Sequence, residues 1–135
     1  MIQNDISALL GIHPQEKGRS TMSTGPTIPA GEVLALTSLI RSTEQGIASR
    51  ILAKTHGGNL TLFAFDAGQG LTEHTSPFDA LVIVLEGALT LTINGEALQA
   101  TPGTIVRMPA DVPHAVDAPE PARMLLIMLK DRKEA

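Results

Sequence analysis

The stretch Gly68-Gln69-Gly70-Leu71-Thr72-Glu73-His74-Thr75-Ser76-Pro77-Phe78-Asp79-Ala80, continuing through Leu81-Val82-Ile83-Val84-Leu85-Glu86 to Gly87, decides how this chain is read. Five residues separate Gly68 from His74, one separates His74 from Ser76, three precede Ala80 and six lead on to Gly87. A second stretch, Gly103–Ala118, has its own spacing: five residues to Pro109, one to Asp111, two to His114 and three to Ala118. Side chains alternate faces along a strand, so positions 74, 76 and 80 can share one side of a sheet. If the sheet closes into a small barrel, that side lines an enclosed interior. Gly68 and Gly87 bracket the region where the chain must turn. The rigid segment Pro109-Ala110-Asp111-Val112-Pro113 then bends the chain and delivers His114 toward the same interior.

Working outward, short apolar runs separated by turn residues recur from residue 32 onward. Ile47–Lys54 reads as a strand ended by His56-Gly57-Gly58-Asn59, and Leu60–Phe65 follows before the turn Asp66-Ala67-Gly68-Gln69-Gly70. Ala80–Leu85 is wholly apolar, the pattern of a strand buried on both faces. In Ala88–Ile93, Leu and Ile alternate with Ala and Thr, the period-two mark of a half-buried strand. Asn94-Gly95 is a tight-hairpin pair, because both residues tolerate positive φ. Thr104–Met108 and Arg123–Leu129 complete the set. Glu32–Ile40 fits either a helical face or a strand. Many short strands with closely spaced turns argue for an all-β sandwich or barrel.

The two stretches resemble the paired motifs of the cupin superfamily, small jelly-roll barrels also described as double-stranded β-helices. The resemblance extends to nearly every fixed position in spacing, and the fifteen-residue gap from Ala88 to Pro102 is similar to that of compact single-domain members. It implies an all-β cupin barrel over residues 31–135, with residues 1–30 as an irregular or briefly helical extension that is partly disordered or exchanged with a neighbour. Members typically carry His at positions 74 and 76, Glu at 80 and His at 114, and these bind a metal. Here His74 and His114 match, whereas Ser76, Ala80, Asp111 and Ala118 depart from the pattern. Two imidazoles alone should hold a divalent metal (Fe, Mn, Zn or Ni) only weakly, if at all, since open catalytic sites still use three protein ligands. Asp79 cannot simply replace the missing carboxylate, because a one-residue displacement along a strand turns a side chain to the other face.

Composition narrows the function classes. The chain has 135 residues, a net charge of −4, no Cys, no Trp, no Tyr and three Phe. Thiolate chemistry and disulfides are therefore absent. Nucleic-acid binding is disfavoured by the acidic balance and by the lack of aromatic stacking platforms. No run reaches the ~18 apolar residues of a membrane helix. The opening Met1-Ile2-Gln3-Asn4-Asp5 lacks the basic and apolar regions of a secretion signal. A cytoplasmic protein with no membrane partner is expected. Asp5–Gly11 reads as a short capped helix, and Met22 offers an alternative start that would make residues 1–21 an extension.

The leading expectation is a barrel with a degenerate metal site that binds a small, partly apolar molecule. His74, Ser76 and His114 supply polar contacts, and Met108, Met124 and Met128 supply an adaptable wall. The alternative is a metal-dependent enzyme of dioxygenase or isomerase type that uses His74 and His114 as ligands. A third possibility is that both imidazoles simply satisfy the core, with Ser76 as a hydrogen-bond partner of His74, and that the three Met are ordinary packing. Catalysis stays open, because the family includes both enzymes and binding domains. His56 reads as a solvent-facing turn residue and Arg107 as one half of an exposed salt bridge. The apolar-rich sequence and the free leader point to a homodimer.

Overall fold

Residues 27–130 are described by the computed structural model, and nearly all their regular structure is strand. Nine strands follow in order: β1 Ile47–Thr55, β2 Gly58–Phe65, β3 Gln69–His74, β4 Asp79–Glu86, β5 Leu89–Ile93, β6 Glu96–Ala100, β7 Ile105–Met108, β8 His114–Ala118 and β9 Ala122–Leu129. They form two antiparallel sheets, a larger one ordered β1-β2-β9-β4-β7 and a smaller one ordered β3-β8-β5-β6. This is the all-β architecture expected from the motif stretches. No helix among the described residues is long and apolar enough to cross a membrane. The readings of Asp5–Gly11 as a short helix and of Met22 as an alternative start fall outside the described residues.

The core lies between the two sheets. Phe63 and Phe65 from β2, Ala80, Val82 and Val84 from β4, and Met124, Leu126 and Met128 from β9 face Leu71, Leu89, Leu91 and Val116 of the smaller sheet. With almost no aromatic residues available, aliphatic side chains and Met fill the interior, each buried group contributing about 1.5–3 kcal/mol of transfer free energy. The outer face of the larger sheet carries a second cluster. There Ile40, Leu52, Leu62, Ala64 and Leu125 pack with Ile28, Leu36 and Leu39 from the segment preceding β1.

That outer cluster explains two departures from expectation. Glu32–Ile40 forms neither a long helix nor a strand, only a three-residue 3₁₀ turn at Leu36–Ser38, because it lies across a sheet face. Arg123 fixes the end of the segment by donating from Nε to the Ile40 carbonyl (3.0 Å) while also pairing with Glu86. β4, expected to be buried on both faces, alternates instead. Ala80, Val82 and Val84 are fully buried inside, whereas Ile83 and Leu85 are half-covered by the outer cluster. Gln69 and Gly70, read as part of a turn, already belong to β3, and the turn itself is made by Gly68 at φ 83°.

Candidate functional site

His74 closes β3 and His114 opens β8, and the two are cross-strand partners. Their ring centroids lie 4.5 Å apart with planes at 73°, an edge-to-face contact. A bulge brings them together. Leu71 pairs with Val116 and His74 with His114, so three steps along β3 match two along β8. In a regular strand Glu73 would follow Leu71 onto the inner face and His74 would point out. The extra residue at Thr72–Glu73 reverses this and turns the imidazole inward.

Each ring is held by the backbone two residues upstream. His74 Nδ1 lies 2.6 Å from the Thr72 carbonyl, and His114 Nδ1 lies 3.0 Å from that of Val112. A carbonyl oxygen only accepts, so Nδ1 carries the proton on both rings and each neutral imidazole presents Nε2 as a bare acceptor. His114 is 2% exposed. Burial pushes its pKa below 6.5, the nearby His74 ring lowers it further, and the Val112 carbonyl bond partly opposes both. Nε2 of His74 is buried and has no hydrogen-bond partner.

The larger sheet supplies the opposing row. Met108, Ala80 and Met128 are register partners across β7, β4 and β9, and Asn59 of β2 continues the row beyond Met128. All four are buried. Met124, grouped with these at the sequence level, lies four residues farther along β9, about 13 Å at strand rise. Its register partners are Phe63 and Val84, and all three Met belong to the same buried core cluster. Ser76 is buried, but its hydroxyl accepts from the Phe78 amide (3.2 Å) and its carbonyl accepts from the Asp111 amide (2.7 Å). His74 takes its backbone partner from Thr72, not from Ser76. Asp111, standing where the resembled motif departs, adopts φ 65° within the Pro109–Pro113 bend, a conformation Asp tolerates better than most residues.

Asp79 faces outward, as the alternation requires. One carboxylate oxygen accepts from the Ala110 amide at 2.8 Å and the other pairs with Arg107 at 3.4 Å in an exposed ion pair. Glu73 and His56 are also exposed. Among the described residues no group of three or more His, Asp or Glu is arranged to hold a metal. Two imidazoles, with Ala at position 80 in place of a carboxylate, do not fit the three- or four-ligand divalent site that the fold family implies.

Sequence reasoning missed Asn59, because it placed the residue in the turn before Leu60. The usable signal was parity: Asn59 shares the face of Thr61, Phe63 and Phe65, all buried.

A two-sheet antiparallel β-barrel with histidines from separate strands meeting inside it defines the class. The family model described as "Cupin domain" matches residues 61–128, and the chain belongs to the cupin family. It is similar to SPY1581, a conserved protein of unknown function from Streptococcus pyogenes, at 34% identity over 84% of this chain and 100% of that one (TM-score 0.75). A cupin superfamily protein from Desulfitobacterium hafniense DCB-2 is 28% identical over 78% of this chain and 96% of the other (TM-score 0.73). A cupin 2 conserved barrel domain protein from Leptotrichia buccalis is 33% identical over 70% of this chain and 46% of its own length (TM-score 0.67). None of the curated proteins matches.

Proposed function

We propose that this cupin-fold protein binds a small, partly apolar molecule in the barrel interior against His74 and His114, in the cytoplasm. The observation that carries this reading is the buried Nε2 of His74, an acceptor with no partner in the protein. Buried polar atoms are nearly always paired, with protein, ordered water or a ligand, so this acceptor marks a place that a bound molecule can complete. Met108 and Met128 on either side of Ala80 offer a soft wall where a carboxylate would otherwise project. A metabolite library screened by thermal unfolding tests the proposal. A ligand that binds only the folded state must raise the melting temperature. At least one hit is expected, lost in His74→Leu. A library with no hit would leave both imidazoles as core groups.

The second reading, a metal-dependent enzyme of dioxygenase or isomerase type, draws on the two Nε2 lone pairs that the backbone carbonyls leave free. It requires stoichiometric Fe, Mn, Zn or Ni in protein purified without chelator. Sub-stoichiometric metal after reconstitution, with folding intact, counts against it.

A further inference from the structure

Two buried side-chain polar atoms among the described residues lack a partner, His74 Nε2 and Asn59 Nδ2, and they are chemically complementary. The first accepts, because Nδ1 of that ring is committed to the Thr72 carbonyl. The second donates. The Asn59 carbonyl oxygen accepts from the Thr61 hydroxyl at 3.3 Å, which orients the amide with its NH₂ group free.

Both orphans lie at one end of the barrel. Asn59 pairs with Met128, Met128 with Ala80, and Ala80 with Met108, in a single row across the inner face of the larger sheet. Ala80 follows His74 by six residues, and Met108 precedes His114 by six. The Asp111 amide, donating to the Ser76 carbonyl, ties these two connections together. The buried polar residues described are Asn59, Thr61, Ser76 and His114, with no Asp, Glu, Lys or Arg among them.

We infer that the bound molecule is uncharged, a short apolar chain ending in a primary amide or an alcohol that donates to His74 Nε2 and accepts from Asn59 Nδ2. This rests on the binding reading above and specifies its ligand class. A carboxylate can accept from Asn59 but brings no proton for His74. An alkylammonium can donate to His74 but has nothing to offer Asn59. Either ion would also enter an interior without a counter-charge, where an unpaired ion is strongly penalised.

The test uses the full chain at about pH 8, where free imidazole is neutral, and a matched series: hexanamide, hexan-1-ol, hexanoate and hexylammonium, titrated by NMR. The amide and the alcohol should bind at least about tenfold more tightly than either ion. Asn59→Leu should weaken the amide by about tenfold or more. Asn59→Leu combined with Thr61→Val should raise the urea midpoint of the ligand-free protein, because together they remove the unsatisfied donor and the hydroxyl that relied on Asn59. Asn59→Asp, which keeps the shape and loses the donor, should weaken the amide likewise. Hexanoate binding as tightly as the amide would overturn the ligand class while leaving interior binding intact. Unchanged amide affinity in both Asn59 variants would overturn it as well. If none of the four binds, the ligand class falls, and the library screen separately decides whether anything else occupies the barrel.

Discussion

Acidification below pH 6.5 should destabilise this barrel through His114 in particular. The ring is 2% exposed and its Nδ1–H is committed to the Val112 carbonyl. The His74 ring sits 4.5 Å away, where a second positive charge would be unwelcome. Its folded pKa is therefore lowered from 6.5, first by burial and then by the His74 ring. The unfolded chain binds a proton just below 6.5 that the folded chain refuses, so stability rises with pH across that window. The contribution is fully present above 6.5 and is lost as pH falls from 6.5 toward the folded value. For one proton the slope cannot exceed about 1.4 kcal/mol per pH unit, which sets the ceiling on what this ring contributes. Urea unfolding from about pH 8 down to about pH 5.5 measures this slope, with His114→Asn as reference, since carboxylates in both proteins titrate mainly lower. The wild-type slope should exceed that of the variant, by no more than one proton. Parallel curves, or a wild type that gains stability on acidification, would refute the claim that folding holds this imidazole neutral.

Three further outcomes follow from the same geometry. Ala80→Glu places a carboxylate on the inner face between Met108 and Met128. It should cost the metal-free protein at least about 2 kcal/mol and create affinity for Mn or Ni by calorimetry, as two imidazoles and one carboxylate form a facial triad; unchanged stability with no metal uptake would show that position 80 does not face the pair. Gly87→Ala should destabilise more than Gly95→Ala in urea. Both glycines have positive φ, but a Cβ at Gly87 would collide with the Pro121 carbonyl and Ala122, whereas Gly95 has open space; the conformational part alone is about 1–2 kcal/mol, and equal losses would contradict the close approach. Finally, Ile105 and Leu129 lie 57% and 48% exposed at the outer face of the larger sheet, so light scattering should give a dimer mass that Ile105→Glu with Leu129→Glu reduces to a monomer; a wild-type monomer at micromolar concentration would rule out the pairing.

The fold was legible because its markers are local. Gly68, Gly87 and Gly103 all adopt the positive φ that a motif glycine allows, and Asn94-Gly95 makes the tight β5–β6 turn with Ile93 paired to Glu96. β6 was not legible. Glu-Ala-Leu-Gln-Ala favours helix, and it becomes strand because the hairpin aligns it on β5. β8 was hidden for a related reason: His114–Ala118 is too short to show a period, yet it is held from both sides by β3 and β5. The meeting of His74 and His114 followed from the motif spacings, but the means did not. Nothing in Thr72-Glu73 marks a bulge, because the misfit is set by the partner strand. The distinction between Met124 and its companions needed the register of three strands.

The misfit at Thr72–Glu73 has a consequence for how this interior could change. β3 carries one residue more than its neighbour requires, so slack is stored beside the imidazole. A deletion of Glu73 would remove the slack and leave the histidine inside a regular strand. If the slack passed instead into the loop before β4, the histidine would rotate out and the Glu73 carboxylate would rotate in. Exchanging a neutral acceptor for an anion inside this barrel would then take no substitution, only the relocation of a single residue's worth of backbone.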